Sequence, residues 1–219
     1  MVEEHAAQFD DTLGERPAGS QKEFAAATYI LAHLQRAGYV PLLDPVPVAD
    51  TVRSTNVVAP PPNGEDPSIV VTVAYDTAAG ASETGHDLGL WLELARSLYA
   101  SDQDHEVEFV ALGAEHADIG DGNLGSRRLI AFLRDEELDP TVIEVTDISP
   151  DGDSVATSGP EAGELVSVGE SLGVTTVGSR TITDVGTLLA RAGISHIAVT
   201  GGVEDVAEVL LEYLSVHGA

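Results

Sequence analysis

Ser68-Ile-Val-Val-Thr-Val-Ala74 is apolar at nearly every position and shows no alternation of inward and outward residues. A strand of that kind is covered on both faces, so helices must lie above and below it. Glu106–Leu112 has the same character. Between the two runs, His86–Tyr99 places Leu90, Trp91, Leu94 and Leu98 on one helical face. Strands alternating with helices in this way restrict the chain to a three-layer α/β/α arrangement with a mixed or largely parallel central sheet.

The rest of the chain fits that frame. Ser20-Gln-Lys-Glu23 is a capping box that opens a helix running to Gly38. Tyr39–Ala49 and Thr51–Ala59 are extended stretches broken by prolines, and Pro60–Pro67 is turn-rich. Leu124–Leu133 is the next helix, and Thr141–Ile148 a strand ending in the turn Pro150-Asp-Gly152. Asp184–Ala192, Ile194–Val199 and Glu204–Val216 give helix, strand, helix. No internal repeat is visible and no linker divides the chain, so a single domain over residues 1–219 is expected.

Charge narrows the partners. The 219 residues carry 37 acids and 10 bases, a formal charge of −27, with Lys22 the only lysine. The acids are spread along the chain rather than gathered in a tail. With 43% hydrophobic residues the core is ordinary, so the acidity belongs to the surface and suits a protein adapted to multimolar salt, where self-repulsion fades. It excludes nucleic acid and anionic membrane as partners. There is no cysteine for disulfides or thiolate metal sites. No apolar run approaches the roughly 20 residues of a membrane span. The acidic start, Met1-Val-Glu-Glu-His5, lacks a secretory pattern and points to the cytoplasm.

Several segments, taken in order, resemble the dizinc aminopeptidases of peptidase clan MH, a group that includes bacterial leucyl aminopeptidase and whose fold the glutaminyl cyclases share. They are Arg16-Pro-Ala-Gly-Ser20, Ser54-Thr-Asn-Val-Val-Ala59, Val70-Val-Thr-Val-Ala-Tyr-Asp-Thr77 and Leu92-Glu-Leu-Ala-Arg96. Val107-Glu-Phe-Val-Ala-Leu-Gly-Ala-Glu115, Leu124-Gly-Ser126, the strand ending at Asp147 and Ala190-Arg-Ala-Gly-Ile194 complete the set. The resemblance implies a zinc-aminopeptidase scaffold and a cleft at the strand ends.

That family's reaction uses two zinc ions about 3.5–4 Å apart, a bridging carboxylate and a general base. By the resemblance, the first histidine ligand falls at Ala74 and its orienting aspartate is Asp76. The bridging aspartate falls at Ser82, followed by Glu83. The base matches Glu115, the next ligand falls at His116, and Asp147 matches an aspartate ligand. Counting back from Ala190-Arg-Ala-Gly-Ile194 puts the last histidine at Gly186. Only Asp147 keeps its ligand identity, so no resident cofactor is expected. The implied protein is a peptidase-like pseudoenzyme, a binding or assembly subunit. It would hold a small molecule or peptide in the former active-site cleft, using Asp76, Glu83, His86, Asp87, His116 and Asp147, and would partner a second copy or a related peptidase. The alternative is a hydrolase with one zinc on His116, Asp147 and either His86 or Glu83, Glu115 activating its water.

Other motifs carry less. Gly120-Asp-Gly-Asn-Leu-Gly125 matches a dinucleotide fingerprint but does not directly follow a strand, and nearby carboxylates repel phosphate. Asp147–Asp153 is acidic without the calcium-loop pattern. Arg127-Arg128 suits ion pairs with neighbouring acids.

Overall fold

The computed structural model describes residues 1–81, 84–118, 122–179 and 182–218. The chain opens with α1 (Val2–Ala7), continued by a π-helical turn (Gln8–Leu13), then α2 (Gln21–Ala37), β1 (Leu42–Pro47), β2 (Arg53–Ala59) and β3 (Ile69–Ala74). There follow α3 (Gly85–Ser101), β4 (Val107–Leu112), α4 (Leu124–Asp135), β5 (Thr141–Ser149) and β6 (Val155–Ser158). The last elements are α5 (Ala162–Leu172), β7 (Thr176–Gly178), α6 (Asp184–Ala192), β8 (His196–Gly202) and α7 (Val203–His217). Among the described residues no helix is long and apolar enough to cross a membrane.

The strands form one mixed sheet in the order β1-β2-β4-β3-β5-β8-β6-β7. Its centre, β4-β3-β5-β8, is parallel, whereas β1, β2 and the β6–β8 pair are antiparallel. The two apolar runs are β3 and β4, paired Ile69 to Val107 through Ala74 to Leu112, and their side chains are almost wholly buried. One face packs Ile30 and Leu34 of α2, Leu94 and Leu98 of α3, and Leu210 and Leu214 of α7. The other packs Leu129 and Leu133 of α4 and Leu189 of α6. This is the expected three-layer α/β/α fold.

Local chemistry sets the helix ends. Ser20 caps α2 by accepting from the Glu23 amide at 3.1 Å. The helix stops at Gly38, whose φ of 117° suits glycine, and a Cβ there would strike the Tyr99 ring at 2.3 Å. Trp91 pins α3 to the sheet, its Nε1–H donating to the Val71 carbonyl at 3.0 Å. The helix α1, the short strands β6 and β7, and α5 are additions to the elements expected from sequence.

Arg16 ties the amino-terminal segment to the end of β3. Its side chain is fully buried, and its guanidinium donates to the carbonyls of Phe9, Gly14 and Tyr75 and to Thr84 Oγ1. Its backbone exchanges two further bonds with Thr77. Buried charge is tolerated only with partners of this number.

Candidate functional site

The carboxyl ends of β3, β4 and β5 open on a cleft of about 530 Å³, the place where ligands bind in open α/β sheets. Ala74 ends β3 and Thr77 follows it, Glu115 and His116 follow β4, and Glu144 and Asp147 come from β5. Asp87 comes from the first turn of α3 and Asp184 from that of α6. Among the described residues, no lysine or arginine lines it.

Backbone geometry is unusual around this cleft. Ala114, Asn123 and Asp147 all have positive φ, between 51° and 55°. Such conformations are uncommon outside glycine and gather at functional sites. Asp147 occupies the bulge where β5 and β8 lose register between Val145 and Ile148.

Asp76 is fully buried beneath the cleft rather than on its surface. Its two oxygens accept from the amides of Glu115 and His116 at 2.9 and 2.8 Å, and His116 Nδ1 lies 3.4 Å from Oδ1. Asp76 therefore shapes the turn after β4. The same contact raises the His116 imidazole above its ordinary pKa, burial opposing it.

Glu115 is 6% exposed, and both its oxygens face α4. Oε1 accepts from the Ser126 amide at 2.6 Å and Oε2 from Ser126 Oγ at 2.7 Å. The N-cap residue, Asn123, supplies no side-chain bond, so Glu115 satisfies a first-turn amide of α4 in its place. Gly125 makes room, since a Cβ there would lie 2.9 Å from Oε1. Burial pushes the Glu115 carboxyl up to about 7 against the Ser126 bonds, with Asp76 and Glu144 adding to the rise.

Asp87 accepts from the Ile148 amide at 2.7 Å, tying α3 to the β5 bulge. Its carboxyl is also pushed up to about 7, first by burial and then by nearby Asp147. His86 turns away from the main cleft: its Nε2 meets Glu3 at 3.3 Å, beside an adjoining hollow with Asp10 and Asp147. Glu83 lies outside the described residues, as do Ser82 and part of the Gly120–Gly125 loop.

Two further positions emerge. Glu144 lines the cleft, accepts from Thr183 Oγ1 and has a pKa raised by burial. Its sequence signal is an acid set between Ile143 and Val145 in the buried half of β5. Asp184 and Val185 face the cleft, beside Gly186 where the resemblance puts the last histidine. Gly186 instead faces β8: a Cβ on it would lie 2.4 Å from His196 Nε2. The His196 ring thus fills the space a side chain at position 186 would take, and the first turn of α6 presents Asp184 and Val185 to the cleft instead. His196 is fully buried, and neither of its ring nitrogens has a hydrogen-bond partner among the described residues.

Among the described residues, the donor set does not fit a pair of zinc ions: Ala74 offers a methyl group where the first histidine ligand falls, and the orienting Asp76 and the base position Glu115 are bound instead to two amides and to Ser126. Among the described residues, no three histidines or carboxylates come together in a metal-holding group.

Fold and cleft together define a protein with the zinc-aminopeptidase architecture. More particularly, it is 35% identical over 109 residues to aminopeptidase YwaD of Bacillus subtilis, a stretch covering 48% of this chain and 22% of that protein. The match thus spans less than a quarter of that relative's length. Among solved structures, LapA aminopeptidase of Legionella pneumophila superposes with a TM-score of 0.76 at 12% identity, covering 100% of this chain and 74% of that one. BSAP, a zinc aminopeptidase from Bacillus subtilis, gives 0.70 at 14% identity, with 92% and 84% covered. No family model matches the sequence.

Proposed function

We propose that this protein is a non-catalytic descendant of a zinc aminopeptidase. It acts as a binding or assembly subunit whose cleft holds a small molecule or peptide, alone or beside a second copy or a related peptidase. The observation that carries this reading is the state of the former catalytic positions: a methyl group at Ala74 where the first histidine ligand falls, the orienting Asp76 committed to two amides, and the base position Glu115 committed to the amide and hydroxyl of Ser126. The acidic cleft favours the ammonium end of a peptide over its carboxylate. The spread of 37 acids supports work in a salt-rich cytoplasm, with thermal stability rising as KCl is added.

The test is metal content by mass spectrometry together with hydrolysis of leucine p-nitroanilide, on protein kept in multimolar KCl with zinc supplied. Substoichiometric metal and no turnover are expected. One ion per chain, lost together with turnover in His116→Ala, overturns the proposal.

That outcome would favour a second reading, a single-ion hydrolase. Its support is the Glu115 carboxyl near 7, the range suited to a general base. The paired Ser126 bonds oppose it by turning both oxygens toward α4.

A further inference from the structure

Glu108 is the second residue of β4, at the opposite end of the strand from the cleft. It projects from the α4 face of the sheet, with Val70 beside it on β3. Only 5% of the residue is exposed. Among the described residues no hydrogen bond or ion pair reaches its carboxyl, and burial is the sole influence on its titration. The side chain is buried, yet its oxygens are not among the sealed unpartnered atoms of the core, so the carboxyl is held without a protein partner where a ligand can reach it.

The carboxyl lies in the wall of an open hollow of about 260 Å³ bordered by β1, β2, β4 and α4. Leu43, Val58, Val110, Leu129 and Phe132 supply its apolar lining. The other charged groups there, Asp44 on β1 and Arg128 on α4, are bound to each other: Arg128 Nε lies 2.9–3.0 Å from both Asp44 oxygens, and Nη2 lies 2.7 Å from Oδ1. Asn56 of β2 is likewise committed, to the Gly113 amide and the Gly125 carbonyl. Glu108 is left as the one charged group of the hollow without a counterpart.

We propose that this hollow is a binding site for a small apolar amine, its ammonium group on Glu108 and its hydrocarbon body between Leu43, Leu129 and Phe132. The carboxylate supplies acceptors for an ammonium ion, which needs no planar fork of partners. A guanidinium would bring five donors into a lining with few acceptors. The volume lies just below the roughly 300–1,000 Å³ of ordinary ligand pockets, which limits the body to one ring or a short chain. This site is separate from the cleft, and the proposal stands whether or not the protein hydrolyses anything.

The test is calorimetric titration of the full chain at pH 7 with phenethylamine and with its uncharged counterpart 2-phenylethanol. A charge-assisted hydrogen bond makes the amine the tighter ligand by about tenfold or more. Glu108→Gln lowers the amine to the affinity of the alcohol. In the unaltered protein, the amine also displaces the proton that burial holds on Glu108, so its binding heat changes with the ionisation enthalpy of the buffer; that of the alcohol does not. Equal affinities, no binding by either compound, or an amine affinity unchanged by Glu108→Gln overturns the proposal. Should Glu108→Gln fail to fold, amine binding without proton release in the unaltered protein overturns it just as well.

Discussion

Converting Glu108 to glutamine keeps the size of the side chain and removes its ionisation. In the folded chain, burial lifts this carboxyl from the ordinary 4.5 up to about 7. The unfolded chain keeps the ordinary value. Between those two values the folded state holds more protons than the unfolded state, so stability drains away as pH rises through the window. The loss is complete above about pH 7, where the difference of about 2.5 units amounts to about 3 kcal/mol at 1.36 kcal/mol per unit. Glu108→Gln escapes this loss. Its unpaired amide carries a cost of its own, but one that does not vary with pH. Denaturant unfolding of both proteins, in the same salt at pH 5 and pH 8, isolates the effect because the remaining acids titrate in both. The stability gap should move in favour of the variant by about 2–3 kcal/mol between those pH values. A gap independent of pH would refute the argument, and with it the claim that Glu108 lacks a partner.

Ser126→Ala removes one of the two bonds that hold Glu115 against α4; unfolding experiments should show a loss of about 1–2 kcal/mol. Carboxyl NMR should place Glu115 still higher, because the lost bond favoured the charged form. Gly186→Ala drives a methyl group to 2.4 Å from His196 Nε2, so it should cost about 1–3 kcal/mol despite the better helix propensity of alanine. The same change in a His196→Ala background should become neutral or stabilising in a double-mutant cycle. Burial also lowers His5 and His33, the latter to about 4. The unfolded chain then binds more protons as pH falls from about 6.5 toward 4, and the folded state loses stability across that window. Because His5 docks on Tyr29 and Glu93, hydrogen exchange in α1 should quicken before that of the sheet.

The central architecture was legible because burial on two faces leaves a plain mark: β3 and β4 are apolar at almost every position, and α2 announces itself by Ser20 and Glu23. The parts missed lack such marks. The helix α5 carries Gly163 and Gly169 and two serines, and Gly169 is present because a Cβ would collide with Thr176. Strands β6 and β7 have four and three residues, too short for any period to register. For the cleft, the resemblance located the segments but not the direction of each side chain. A one-residue difference in the first turn of α6 separates Val185, facing the cleft, from Gly186, facing His196. Likewise nothing in the string Gly-Ala-Glu-His discloses that the Glu115 carboxylate closes the first turn of a helix beginning nine residues later.

The first strand of the sheet has Leu42 and Leu43 half-exposed on an open edge, the kind of surface to which another chain can add a strand. Pro45 and Pro47 are spaced by two, so their missing N–H groups lie on the same side of β1, and β2 already occupies the other side. The open edge is thus short of donors just where a further strand would need them. Mutual repulsion among copies of so acidic a chain weakens whenever salt is abundant. Two proline rings do not respond to ionic strength, and they guard the edge against fibre-like stacking in brine and in dilute buffer alike.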